Sequence, residues 1–119
     1  AWNKLTQLKT VEFMTTSYLR GQTFNNAVVI VDESQNCNYH ELCSIITRIG
    51  RDAKFVMCGD YYQSDFTKNN EKEGINQFIK ILSHMTSFDI IEFGFEDIVR
   101  SGLVRDFIMT KELVDRGKL

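Results

Sequence analysis

The sequence predicts an α/β fold built on a parallel sheet, and three observations carry that reading. The run Ala27-Val28-Val29-Ile30-Val31 is continuously apolar and mostly β-branched, and it leads straight into Asp32-Glu33. A second apolar run, Phe55-Val56-Met57-Cys58, leads in the same way into Gly59-Asp60. Between and after these runs, apolar residues recur at helical spacing. A short continuous apolar run reads as a strand buried on both faces. Strand alternating with helix is the pattern of parallel strands joined by crossovers.

Taken in order, residues 1–9 are polar, with Trp2, Leu5 and Leu8 spaced for helical contact. Val11-Glu12-Phe13-Met14 is expected to form a short strand. Tyr18 to Asn26 is a turn-rich connection, because Gly21 and the pair Asn25-Asn26 tolerate positive φ. The central strand, 27–32, follows. Asn38 can cap a helix whose third residue is Glu41, close to a capping box. Leu42, Ile45, Ile46 and Ile49 then repeat at i, i+3, i+4 and i+7, which predicts an amphipathic helix over 39–49 ended by Gly50. The second strand is expected over 54–58, with the loop Gly59 to Asp65 leaving it. Residues 67–73 read as a charged, solvated loop, and Ile75, Phe78, Ile79, Leu82 and Met85 as one face of a further helix. Phe88 to Phe93 is expected to be a third strand. Leu103, Val104, Phe107, Ile108 and Val114 line one face of a last helix, about 101–116.

The 119 residues make one domain at most. A formal net charge of −2 provides no global basic field, so any nucleic-acid contact must come from a local patch. No apolar run reaches the length of a membrane span and no signal peptide opens the chain, so the expectation is a cytoplasmic protein that makes no membrane contact. Three cysteines without secretory features are expected to be reduced thiols. The chain opens on Ala1 and closes on Gly117-Lys118-Leu119, and is expected to be an internal piece of a longer protein.

The chemistry sits at the ends of the two strands. Parallel sheets place their sites outside the carboxyl ends of the strands. The loops Asp32-Glu33-Ser34-Gln35-Asn36 and Gly59-Asp60-Tyr61-Tyr62-Gln63 therefore converge there. An Asp in that place can hold Mg²⁺ through water, and a Glu beside it can deprotonate an attacking water. A glutamine amide can sense a terminal phosphate, so the set suits a Mg²⁺–nucleoside triphosphate.

In order and spacing, five segments resemble the PhoH family of P-loop NTPases, whose core looks like the motor of superfamily 1 helicases. They are Arg20-Gly21-Gln22-Thr23-Phe24, Asp32 to Asn36, Ile46-Thr47-Arg48-Ile49-Gly50, Gly59 to Asp65 and Asp97-Ile98-Val99-Arg100. The resemblance runs from about Tyr18 to Phe107. It implies a three-layer RecA-like core, here incomplete, with residues 1–119 forming its Walker B and sensor half. It implies ATP and Mg²⁺ as ligands, with Asp32 as the Mg²⁺ carboxylate and Glu33 as the base that activates water. Gln35 and Gln63 would contact the γ-phosphate or its water, and Asp60 would brace the water around the metal. Arg48 and Arg100 would be the arginines that neutralise transition-state charge, on their own or a neighbouring subunit. The resemblance further implies a ring-forming parent that acts on RNA or single-stranded DNA.

The sequence also departs from the family. Gln22 stands where a second arginine is usual, Cys37-Asn38-Tyr39 where small hydroxyl residues and a proline are usual, and Ser101-Gly102 where His-Pro is common. No segment matches the phosphate loop G-x-x-x-x-G-K-[ST]; the pair Gly117-Lys118 is followed by Leu119 and lacks the required upstream glycine. Two functions therefore stay open: the hydrolytic and sensor half of an ATPase, or a non-hydrolysing half-core that binds protein or nucleic acid. Cys37, His40, Cys43 and Cys58 could hold Zn²⁺ by spacing, but Cys43 and Cys58 fall in apolar patterns where cysteine packs as a small hydrophobe. Tyr61 and Tyr62 could stack on a base or cover the neighbouring helix. His84 is expected to interact with the last carbonyls of its own helix or with solvent.

Overall fold

Two parallel strands form the frame. The structure is a computed structural model that describes residues 1–61 and 69–119, leaving aside the side chains of 69–72. Strand β1 (Val28–Val31) pairs with β2 (Lys54–Met57) in the register Val28↔Lys54 to Val31↔Met57. The ladder extends at both ends. Upstream, the N–H of Phe24 donates to Arg48 O at 2.8 Å and that of Gly50 to Phe24 O at 2.7 Å. Downstream, Cys58 donates to Val31 O and Ser34 to Cys58 O, each at 2.9 Å. Helix α1 (Trp2–Gln7) precedes the sheet, α2 (Tyr39–Ile46) connects the strands, and α3 (Asn69–His84) and α4 (Gly102–Asp115) follow. Three short 3-10 turns occupy Thr16–Tyr18, Ser34–Asn36 and Phe95–Asp97.

The core lies where α2 and α3 cover one face of the sheet. Leu42, Ile75, Phe78 and Leu82 form its buried centre, with Tyr39, Cys43, Ile46, Met57 and Tyr61 packed around them. These are positions that the helical spacing singled out in both helices. Asn38 caps α2 as expected, its Oδ1 accepting the N–H of Glu41 at 2.8 Å. Gly74 lets α3 approach α2 closely, because a Cβ there would stand 2.9 Å from Tyr39 Cβ. Asn26 adopts positive φ, as the turn reading anticipated, and so does Gly21.

Several expectations are corrected. The strand predicted over 88–93 does not form: Ile90, Ile91 and Phe93 are exposed, and the segment finds no ladder partner among the described residues. Val11–Met14 forms no strand either; Phe13 packs its ring on Trp2, with centroids 5.6 Å apart. Helix α2 ends at Ile46 rather than at Gly50. Gly50 instead belongs to the ladder, where a Cβ would collide with Thr23 Cγ2 at 2.8 Å. Finally, β1 is covered on one face only. Val28 and Ile30 are 62% and 64% exposed, because the described helices that pack on the sheet both lie on its other side. The edge of β1 away from β2 carries no strand among the described residues.

Gly117 has a structural use. It ends α4 in the left-handed region (φ 71°), and Gly117 and Lys118 donate to Val114 O and Leu113 O, the paired bonds of a Schellman cap. The apolar stripe of α4 itself faces outward, with Leu103 and Phe107 among the exposed residues.

One-sided burial makes a prediction. Leu42→Ala should cost about 2–5 kcal/mol, as for a fully buried leucine, whereas Ile30→Thr should stay within about 0.5 kcal/mol, as at an exposed position. Urea unfolding followed by circular dichroism measures both, and equal losses would contradict a sheet with one open face.

Candidate functional site

At the carboxyl end of β1 the chain turns sharply. Glu33 adopts the left-handed conformation, φ 50° and ψ 42°, which costs a non-glycine residue on the order of 1 kcal/mol. Asp32 supports the turn, its Oδ1 accepting the N–H of Glu33 at 2.9 Å. Ser34 and Gln35, in the 3-10 turn that follows, are buried, while the carboxylates of Asp32 and Glu33 are exposed.

The buried pair ties this turn to the loop leaving β2. Ser34 Oγ donates to Cys58 O at 2.8 Å and shares a second hydrogen bond with the Tyr61 hydroxyl. Because Ser34 has one proton and spends it on Cys58, Tyr61 is the donor to Ser34. Gln35 Nε2 donates to Glu33 Oε2, and Gln35 Oε1 accepts the N–H of Asp60 at 3.2 Å. A carboxylate on one side and an N–H on the other fix which way the amide points. Gly59 leaves room for this arrangement, since a Cβ there would lie 2.6 Å from Ser34 Oγ and 2.7 Å from Gln35 Oε1.

The structure therefore brings Asp32, Glu33, Gln35 and Asp60 to one edge. Gln35 is buried, and its amide is engaged at both ends within the protein, where it braces Glu33 and Asp60. Gln63 lies outside the described residues, as do Tyr62, Ser64 and Asp65. Arg100 is exposed on the link between the Phe95–Asp97 turn and α4, and no hydrogen bond or ion pair among the described residues joins it to Asp32 or Glu33. Its neighbour Asp97 caps its own turn, accepting the N–H of Gly94 at 2.7 Å.

Arg48 is not brought to the acidic edge. It follows α2, which runs back along the sheet, and its Nη1 donates to Gln22 O at 3.3 Å beside the segment that enters β1. An eight-residue helix carries the chain about 12 Å at 1.5 Å per residue, so Arg48 sits at the amino end of the strands. The Gln22 side chain, where the family's second arginine is usual, donates to Tyr18 O at 2.8 Å.

The sequence reading missed the roles of Ser34 and Gly59, whereas Tyr61 packs on the helices, one of the two places expected for it. A small polar residue directly after the acidic pair and a glycine directly before Asp60 were the available signals. Tyr61 joins the core and meets Ser34, and burial raises its hydroxyl above the usual tyrosine range. Cys37 and Cys43 pack around the core, whereas Cys58 is exposed. Burial, and then the charge of Glu41, push the Cys37 thiol up. Among the described residues no three His, Cys, Asp or Glu side chains gather to hold a metal ion, and no helix is long and apolar enough to cross a membrane. His84 meets its own helix end as expected, its Nδ1 2.8 Å from Lys80 O.

Fold and edge together define the class: an α/β protein with acidic and amide groups at the carboxyl ends of adjacent parallel strands. Comparison with known proteins narrows it. The sequence pattern of the family described as PhoH-like protein matches residues 1–112. The chain is 36% identical over 93 residues to Protein PhoH of Escherichia coli K12, covering 78% of this chain and 26% of that protein. It is 30% identical over 105 residues to a PhoH-like protein of Mycobacterium leprae, covering 88% of this chain and 30% of that one. Against a PhoH-like protein of Bacillus subtilis it is 33% identical over 98 residues, 82% of this chain and 30% of the other. The chain belongs to the PhoH family. It spans 26–30% of the length of these relatives, and its two-strand parallel sheet with helices is compatible with part of a P-loop NTPase core.

Two outcomes follow from this geometry. Gly59→Ala should destabilise the chain by about 1–3 kcal/mol, the cost of displacing a buried hydrogen-bonded group, and should shift the amide resonance of Asp60. Alkylation at neutral pH should modify Cys58 first and Cys37 last, read by mass spectrometry, because Cys58 is exposed whereas Cys37 is partly covered and its thiol is pushed up. Comparable rates at the two would contradict the placement of Cys37.

Proposed function

We propose that this chain is the Walker B and sensor half of a site that binds and hydrolyses ATP in a PhoH-like protein. The observation that carries the reading is the single edge formed by Asp32, Glu33 and Asp60, with Gln35 hydrogen-bonded to both of the latter. Its exposed donors are oxygens, the ligands a hard cation such as Mg²⁺ prefers. Asp32 is the residue that would hold the ion, which when bound neutralises charge on the phosphates.

Glu33 is assigned the proton. Its Oε2 accepts from Gln35, which sets the direction of the carboxylate and leaves Oε1 to take a proton from the attacking water. Asp60 presents a carboxylate from the neighbouring loop, where it would order water around the site. Gln63, further along that loop, is proposed to meet the γ-phosphate. Arg100, exposed, is proposed to neutralise charge on the transferring phosphoryl group, in its own site or in that of a neighbouring subunit of a ring. The whole protein is proposed to work in the cytoplasm on RNA or single-stranded DNA. Arg48 lies at the other end of the sheet within this chain.

The test uses the protein at the full length of its relatives. Glu33→Gln should lower ATP turnover on the order of 10²–10⁴, the usual worth of a positioned base, while Mg²⁺–ATP binding persists. Asp32→Asn should weaken Mg²⁺-dependent binding as well, because a metal ligand acts in the ground state too. Turnover near the unmodified rate in Glu33→Gln would overturn the assignment. The 119-residue chain alone should release no phosphate above a Mg²⁺-free blank, since it carries no phosphate-loop motif.

A further inference from the structure

A second polar site lies along the face of α2 turned away from α3. The segment Thr16–Arg20 and the outer face of α2 flank a cavity of about 380 Å³ that is open to solvent on one side. Its lining includes Arg20, His40 and Arg48 together with the hydroxyl-bearing Thr16, Ser17 and Ser44. His40, Ser44 and Arg48 recur at intervals of four, so α2 and the turn after it present them as one row. The opposite row, Leu42, Cys43 and Ile46, packs into the core with α3.

One of the two arginines, Arg48, is short of acceptors. Arg48 makes one long hydrogen bond, from Nη1 to Gln22 O at 3.3 Å, and its Nε is buried with no hydrogen-bond partner among the described residues. A buried, unmatched donor costs on the order of 1–3 kcal/mol. Arg20 is exposed and makes no ion pair among the described residues. Glu41 lines the same cavity, yet it too enters no ion pair there. Arg20 and Arg48 therefore line one cavity with Glu41 and three hydroxyl-bearing residues, and no ion pair among the described residues joins either arginine to that carboxylate. An acceptor-rich anion in the cavity would give the arginines that line it charged acceptors, which no carboxylate among the described residues supplies. A phosphate group fits best, because its oxygens match the guanidinium fork two at a time.

We propose that this cavity binds a phosphate group, carried by the backbone of a single-stranded nucleic acid or by a small phosphorylated molecule. The site is independent of Asp32 and Glu33 and stands whether or not that edge hydrolyses ATP.

The test is a titration of the ¹⁵N-labelled 119-residue chain, first with inorganic phosphate and then with a short oligothymidylate lacking terminal phosphates. Saturable shifts at Arg20, Ser44 and Arg48, including the Arg48 Nε–H signal, are expected in at least one arm. Shifts with the oligonucleotide alone assign the phosphate to a polymer, and shifts with inorganic phosphate alone assign it to a small molecule. Arg20→Gln should weaken binding about tenfold, the worth of one charge-assisted hydrogen bond. In the oligonucleotide arm it should also lower the salt slope by about 1. Glu41→Gln should strengthen binding by removing a nearby negative charge, and Glu33→Gln should leave it unchanged. Arg48→Gln also removes the bond to Gln22, so Ser44→Ala is the gentler companion, expected to weaken binding a few-fold. No saturable shift in either arm, or an affinity indifferent to both Arg20→Gln and Ser44→Ala, would overturn the proposal.

Discussion

The side chain of Gln35 is the constraint on which the acidic edge depends. A buried amide must have both ends matched, or it costs more than an apolar residue would. Here one end meets the carboxylate of Glu33 and the other the backbone N–H of Asp60. The two loops cannot separate without exposing or orphaning that amide. Ser34 adds a second tie, joining Cys58 to Tyr61. The left-handed turn at Glu33 is tolerated because these contacts, with the Asp32 bond to its N–H, over-determine it.

Close approach makes the ties possible. Gly59 has no Cβ to push Ser34 and Gln35 away, and Gly50 does the same service at the other end of the ladder. The parallel pairing thus continues past the four paired residues of each strand, toward Arg48 on one side and Ser34 on the other. The chain is organised as one extended ladder with different chemistry at each end: carboxylates and an amide at the carboxyl end, guanidinium and hydroxyl groups towards the amino end. Only one face of that ladder is packed. The apolar residues Val28, Ile30 and Val56 stand open, as do Leu103 and Phe107 on α4.

Much of this was legible in the sequence, for physical reasons. The apolar runs at 27–31 and 55–58 supply the paired strands Val28–Val31 and Lys54–Met57, the first β-branched throughout and the second carrying Phe55 and Val56, residue types that suit a pleated sheet. The helical rows at Leu42 and Ile75 become core because their spacing allows one face only. What failed were features that depend on a partner. Phe88–Phe93 has the aromatic and β-branched residues of a strand, but a strand exists only beside another, and composition does not record which. The one-sided cover of β1 failed likewise, because an apolar run states what should be buried and not what buries it. Gln35 beside two acids reads as a group that faces a ligand; its burial follows from the turn at Glu33, which no local signal announces. Arg48 could have been placed from element order alone, because a residue after the connecting helix returns to the start of the sheet.

The central claim is that Gln35 holds the two strand-end loops as one edge, and nuclear magnetic resonance tests it directly. The account predicts that the Gln35 side-chain amide protons exchange slowly with solvent. It also predicts nuclear Overhauser contacts from that side chain to both Glu33 and the amide of Asp60. Exchange at the rate of a free glutamine, or contacts to one loop without the other, would contradict it.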